Sequence, residues 1–422
     1  MPSKGQGQSW WARHCTPRPP INPVVACPCH HCYNMVAEEL DYPKSSHSSQ
    51  ASTPAPSRPV SPTGRVASPV SSPVQQVPIT TSHIEKAAKH VTVDLQQTLT
   101  MPSSIDPAIL AALNIDKGNA TISSVGGSGF SSTLKLSTTT KDGQPFDYFI
   151  KTGSGEGARI MFQGEHASLN AIHNTVPNFC PQSYAHGPLQ QPNKHFLATD
   201  FLRLGYSQSE GSGVSFAAKL AKLHSTPAPV PDGFDRPMFG FPVPTCCGDT
   251  EQDNSWKASW AEFYADNRLR FIMRRVVENH GPDDEAADML ERVAGKVVPR
   301  LIGDDRMKIT PVVVHGDLWS GNHSSGQIAG KGGREEVVFD PSCVYGHSEY
   351  ELGIMKMFGG FGSSFWSEYE KLMPKAEPTG EWDDRVLLYE LYHHLNHYSI
   401  FGSGYRGGAM SIMKKLVSKY GS

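Results

Sequence analysis

Residues 43–83 contain 8 Pro and 11 Ser, with neither an acidic nor an aromatic residue among them. A stretch of that composition has no apolar face to bury and cannot offset the entropy lost when its backbone is ordered. It therefore limits where folding can begin. Residues 1–83 read as a disordered extension, and order is expected to start near Ile84. Residues 84–422 remain, enough for two lobes with substantial cores.

The spacing of apolar residues changes along that remainder. Pro107–Leu113 reads as a short helix, with Asp106 as its cap and Pro107 at its first position. Ala120–Val125, Ser132–Leu136, Phe146–Lys151 and Phe196–Leu202 read as strands, and Ala158–His173 as a helix stopped before Pro177. Beyond Gly205 the pattern is helical, over Val214–Leu223, Ser255–Val277, 284–302 and again from Glu349. Two brief strands, Val312–Val314 and Val337–Phe339, frame a polar loop. A small β-rich lobe (84–204) followed by a larger helical lobe (205–422) is a bilobal α+β architecture.

Charge and composition exclude several classes. Lys and Arg number 38 against 41 Asp and Glu, a net charge of −3, which argues against a nucleic-acid binder. No apolar run of about 18 residues exists, so no membrane-spanning helix is expected. The N-terminus has no continuous apolar segment of the secretory kind. The eight cysteines do not form a spaced disulfide framework: four fall between Cys15 and Cys32, and Cys246 and Cys247 are adjacent. A reducing, cytoplasmic setting follows as the expectation. The absence of acids before Glu38, with Lys4, Arg13 and Arg18, makes a mitochondrial presequence the alternative. Cys27, Cys29, His30, His31 and Cys32 are metal-capable, but their spacing matches no zinc module.

The chemistry-bearing residues concentrate after Val314, in His315-Gly316-Asp317-Leu318-Trp319-Ser320-Gly321-Asn322, with Asp340 following the strand Val337–Phe339. An Asp, an Asn five residues on and a second Asp after a strand are the minimum set for phosphoryl transfer. Asp317 orients the attacking hydroxyl and accepts its proton, while the Asn322 amide oxygen and Asp340 hold Mg²⁺. The first lobe supplies the complement. Gly126, Gly127 and Gly129 allow a turn to approach phosphates through backbone N–H groups. Lys151, at a strand end, can reach the α/β-phosphates, and Glu165 on the following helix can pair with it. Thr199, Asp200, Phe201 and Leu202 fall at the hinge between lobes, where backbone groups of Asp200 and Leu202 face an adenine edge.

These strings resemble the fructosamine-3-kinase (ketosamine-3-kinase) family. The likeness rests on HGDLW-x-GN, on Phe339 to Phe361 with its Tyr345-Gly346-His347-x-Glu349-x-Glu351 run, and on Tyr392–Tyr398; it extends from about Ile105 to Lys419. The family is protein-kinase-like, related in fold to aminoglycoside and choline phosphotransferases. The resemblance implies phosphorylation of the 3-hydroxyl of ketosamines, as free small molecules or on glycated protein lysines, with ATP and Mg²⁺ as cofactors. It implies that Trp319 stacks on the sugar and that His315, His347 and His397 are candidates for substrate contact, His315 serving chiefly as an anchor of the loop. Many eukaryotic relatives carry a Cys in the Gly loop; Gly126–Ser132 contains none.

Other readings are a phosphotransferase for a different hydroxyl, such as an aminoglycoside or amino alcohol, and a catalytically dead binding module. The Trp319 string argues against the first. The presence of Lys151, Asp317, Asn322 and Asp340 argues against the second. A protein Ser/Thr kinase would show an activation segment closed by Ala-Pro-Glu after Asp340, which this sequence lacks.

Overall fold

Asp106 accepts a hydrogen bond from the Ala108 N–H at 2.9 Å and Pro107 occupies the first turn, so the chain enters α1 (Pro107–Leu113) as its sequence requires. This computed structural model describes residues 104–128, 131–205 and 211–422. The Ser/Pro-rich extension, the expected onset of order at Ile84, the Cys27–Cys32 cluster and Gly129 lie outside the described residues.

Five antiparallel strands follow in spatial order β1-β2-β3-β5-β4: β1 (Ala120–Ser128), β2 (Ser131–Thr139), β3 (Pro145–Ser154), β4 (Ser183–Pro188) and β5 (Lys194–Asp200). The register of β1 on β2 shifts between Ser124 and Gly126, a bulge beside the Gly-rich turn. Leu136, Ile150, Phe196 and Ala198 point to one face and bury Ile105, Ile109 and Leu110 against it. β4 is an addition to the strands read from sequence. Its Ser-Tyr-Ala-His-Gly-Pro run lacks a block of β-branched residues, and its Gly and Pro are tolerated because it is an edge.

The stretch Phe196–Leu202 is not one strand. β5 ends at Asp200, and β6 (Leu202–Leu204) leaves the sheet to pair with β10 (His323–Ile328) of the second lobe. Phe201 sits at the break. Its N–H donates to the Asp147 carbonyl at 3.2 Å and its carbonyl accepts the Ala329 N–H at 2.9 Å, so one residue ties both lobes. Local periodicity cannot reveal that switch, because the competing partner lies more than a hundred residues away.

The second lobe holds α3 (Phe216–Ser225), a small hairpin of β7 (Thr245–Cys247) and β8 (Thr250–Gln252), α4 (Trp260–Phe263), a π-helical stretch Tyr264–Arg270, and α5 (Phe271–His280). Then come α6 (Asp284–Arg292), a second π-helical stretch Val293–Val297, and α7 (Val298–Ile302). The last helices are α8 (Glu349–Phe358), α9 (Ser363–Leu372), α10 (Trp382–Phe401) and α11 (Arg406–Tyr420). Trp260, Tyr264, Tyr350, Tyr389 and Tyr392 form the aromatic centre of the helical core. A further core joins Leu169 and Ile172 of α2 (Gly155–Thr175) to Leu220, Leu318 and Val338, so the first lobe's helix is packed into the second lobe. Among the described residues no helix is long and apolar enough to cross a membrane.

Two short ladders position the polar loop. β9 (Val312–Val314) pairs with β12 (Val344–Gly346), and β10 pairs with β11 (Glu335–Val338). Residues 315–322 bridge β9 to β10 and residues 339–343 bridge β11 to β12, so both segments emerge side by side.

Candidate active site

A cavity of about 330 Å³ lies between the lobes. Its walls include Val125, Lys151, Glu165 and Thr199–Leu202 from the first lobe and hinge, and Asp317, Trp319, Asn322 and Asp340 from the second. Residues chosen from three distant parts of the sequence therefore meet in one cleft.

Lys151 is the centre of the first-lobe contribution. Its Nζ lies 2.7 Å from Glu165 Oε1 and 2.6 Å from Asp340 Oδ1, so it links α2 to the second lobe. Burial disfavours its ammonium, but Asp340 and Glu165 outweigh that and raise its pKa. Burial also pushes the Glu165 carboxyl up, against the pull of Lys151. Asp340 has φ +55°, a left-handed conformation uncommon outside Gly and Asn. That turn aims its carboxylate back at Lys151.

The loop after β9 is fixed from below. Glu351, fully buried on α8, accepts the N–H of His315 at 2.6 Å and that of Gly316 at 3.0 Å. Gly316 has φ +81°, and a Cβ there would collide with the Ser342 carbonyl. His315 Nδ1 accepts the Asp317 N–H at 3.3 Å and its Nε2 faces the Phe339 carbonyl at 3.1 Å. A carbonyl only accepts, so Nε2 carries the proton; burial lowers the ring's pKa and keeps it neutral. His315 is thus sealed beneath the loop at 0 % exposure, and its place among substrate contacts is corrected to that of an anchor.

Asn322 donates Nδ2 to the Asp317 carbonyl at 2.8 Å and to Asp317 Oδ2 at 3.3 Å. That leaves the Asn322 amide oxygen for another ligand. The Cys247 thiol, at the end of β7, lies 3.8 Å from Asp317 Oδ1. Burial raises the pKa of that thiol well above its usual value, with Asp317 adding to the effect, so it stays protonated and donates. Leu318 is buried while Asp317 and Trp319 both line the cavity, the alternation of an extended loop. The indole of Trp319 lies over Gly321, where a Cβ would come 2.0 Å from the ring, and beside Phe358 with centroids 6.1 Å apart.

His397 also lines the cavity, with its Nδ1 donating to the His393 carbonyl at 2.8 Å. His347 does not. It is buried with Nδ1 2.9 Å from the Tyr389 hydroxyl, under α8, because its segment folds into the aromatic core, so its expected substrate contact is withdrawn. Asp200 is also corrected in part. Its N–H donates to the Gln182 carbonyl at 2.9 Å, and its carboxylate accepts the Gln182 N–H at 2.9 Å and the Tyr184 hydroxyl at 2.7 Å. Its side chain is thus taken up by β4 and the residue before it, and its carbonyl accepts the Thr199 hydroxyl at 3.1 Å. Sequence reasoning missed the roles of Glu351 and Cys247. The first carried a signal in the acidic first turn of α8; the second had none beyond its type.

Residues 105–419 match the family model described as fructosamine kinase. The chain is 38% identical over 298 residues to ketosamine-3-kinase of Mus musculus, covering 65% of this chain and 91% of that one. It is 36% identical over 318 residues to the chloroplastic protein-ribulosamine 3-kinase of Oryza sativa subsp. japonica, covering 72% and 85%. A crystal structure assigned as a fructosamine-3-kinase from Thermobifida fusca superposes with a TM-score of 0.57 at 22% identity, over 75% of this chain and 99% of that one, which is a likeness of fold. With three quarters of its length inside the family model and its loop residues gathered in one cleft, this chain belongs to the fructosamine kinase family.

Proposed function

We propose that this protein is an ATP-dependent, Mg²⁺-requiring kinase that phosphorylates the 3-hydroxyl of ketosamines, free or carried on glycated lysines. The observation that carries the reading is the meeting of Asp317 and Trp319 with the Lys151–Glu165–Asp340 ion-pair network in one cavity. The residues present fit both cofactors. Val125, Phe149 and Leu204 give an apolar slot beside the hinge, suited to an adenine ring. Lys151 takes one oxygen of Asp340 and leaves the other; with the Asn322 amide oxygen this is the hard-oxygen donor set of an ion that completes its shell with water and phosphate. When bound, Mg²⁺ supplies charge neutralisation across the phosphate oxygens.

Asp317 accepts the proton of the sugar hydroxyl, and Asn322 and Cys247 hold its carboxylate in place. Phosphate installed on O3 is a good leaving group. Enolisation of the C2 carbonyl toward C1 makes it allylic, and its loss leads on to release of the free amine, which is repair of the glycated group. The test is a phosphorylation assay against matched C3 epimers of a simple ketosamine, with NMR to locate the phosphate. Phosphate on O3 of one epimer is the expected result; phosphate elsewhere, or none, overturns the proposal.

Trp319 gives the sugar a flat apolar face. Trp319→Ala should raise the KM for ketosamine by the equivalent of about 1–3 kcal/mol, leaving the KM for ATP near its parental value. Gly321→Ala should act through the same contact, because its methyl group displaces the indole. Gly321→Ala therefore adds nothing when Trp319 is already replaced by alanine. Independent, additive losses in the double variant would show that Gly321 serves something else.

A further inference from the structure

The hairpin of β7 and β8 forms a wall of the cleft, and beyond the contact of Cys247 with Asp317 phosphate transfer leaves it unused. Thr245 pairs with Gln252 and Cys247 with Thr250, so Gly248 and Asp249 are its two-residue tip. Gly248 has φ +65°, as such tight turns demand. The hairpin is held firmly. Gln252 accepts the hydroxyls of Thr245 at 3.0 Å and Ser342 at 2.7 Å, and Asn396 donates to the Cys247 carbonyl at 3.1 Å. A Cβ on Gly248 would come 3.2 Å from Ile400 on α10, so the tip rests against the helix that also carries His397 and Phe401.

Among the described residues, five carboxylates line the cavity: Glu165, Asp200, Asp249, Asp317 and Asp340. Glu165 and Asp340 share Lys151, Asp200 is bound by β4, and Asp317 is the base. Asp249 remains. Asp249 is solvent-exposed at the edge of the cleft, and Arg275, whose charge reaches it, is itself paired with Glu278 at 2.9 Å. Asp249 lies two residues from Cys247, whose Sγ touches Asp317. Asp249 and Asp317 line the same cavity, which also presents the rings of Trp319, Phe358, His397 and Phe401. A carboxylate and aromatic faces in one concave site are the recognition set for an ammonium group.

We propose that Asp249 binds the protonated amine of the ketosamine and so selects nitrogen-linked adducts from sugars bearing the same hydroxyls. This rests on the reading of the cleft as that of a ketosamine kinase. The amine lies a few bonds from O3, matching a carboxylate near but separate from Asp317. The experiment compares a simple ketosamine with its ether analogue, in which oxygen replaces the nitrogen. Affinity is read as KM for the amine and as a competitive inhibition constant for the ether, so the ether need not turn over. In Asp249→Asn the preference for amine over ether should fall about tenfold, the scale of a hydrogen bond to a charged group, with the KM for ATP steady. Asp249→Ala should reproduce that fall. An unchanged preference, or equal weakening toward both compounds, overturns the proposal. Failure of the parent enzyme to phosphorylate the ketosamine at all would instead overturn the assigned reaction, and this proposal with it.

Discussion

Asp317→Asn should fold, melt at the parental temperature and bind nucleotide normally, while its kcat falls by roughly 10²–10⁴, the range for loss of a general base. The substitution is nearly isosteric. The backbone of residue 317 stays anchored through the His315 ring, and Glu351 still holds the N–H groups of His315 and Gly316. The amide oxygen of the substituted side chain can still accept from Asn322, which already bonds the carbonyl of that residue at 2.8 Å. Only the capacity to take up the hydroxyl proton is removed. Turnover close to that of the parent would mean that the proton leaves by another route and that Asp317 merely orients the acceptor.

That Asp317, the proposed base, is legible in the sequence reflects its chemistry. Proton acceptance and metal binding need particular residue types, and the short crossing from β9 to β10 holds them at fixed spacing. Lys151 and Glu165 are legible for a related reason: a strand and the helix that follows it bring them to 2.7 Å although they are fourteen residues apart. The histidines are less so. His315, His347 and His397 all carry the same functional group, yet only His397 lines the cleft. What separates them is burial, and burial depends on α8 and the core beneath it rather than on neighbouring residues.

The hinge and the hairpin show the same limit from the backbone's side. In sequence the start of β6 merges into one long strand because Phe196–Leu202 is largely apolar, whereas its pairing with Gly326–Ile328 is decided by the other lobe. The three-residue strands of the hairpin are too short to show any period. Cys247 and Asp249 thus look inert in sequence, although the fold carries Cys247 to 3.8 Å from Asp317 and Asp249 to the wall of the same cavity.

Asp340→Asn should lower kcat by about 10²–10³, the usual scale for losing one preorganised charge at a transferring group, and should raise the Mg²⁺ concentration needed for half-maximal rate. Asn is the informative choice because residue 340 sits at φ +55°, which Asn adopts readily and Ala does not. The backbone turn is thereby kept and only the charge is lost. Lys151 still has Glu165 at 2.7 Å, so the ammonium does not become an unpaired buried charge. Asn322→Ala should shift the Mg²⁺ requirement less, since it removes a neutral oxygen, but it also frees the Asp317 carbonyl and carboxylate from their 2.8 and 3.3 Å contacts. Its kcat should therefore fall for a second reason that added metal does not rescue. Raising Mg²⁺ separates the two: partial recovery is expected for Asp340→Asn and little for Asn322→Ala. If Asp340→Asn instead titrates with Mg²⁺ as the parent does, the 2.6 Å contact to Lys151 is what Asp340 contributes, and the ion is held elsewhere.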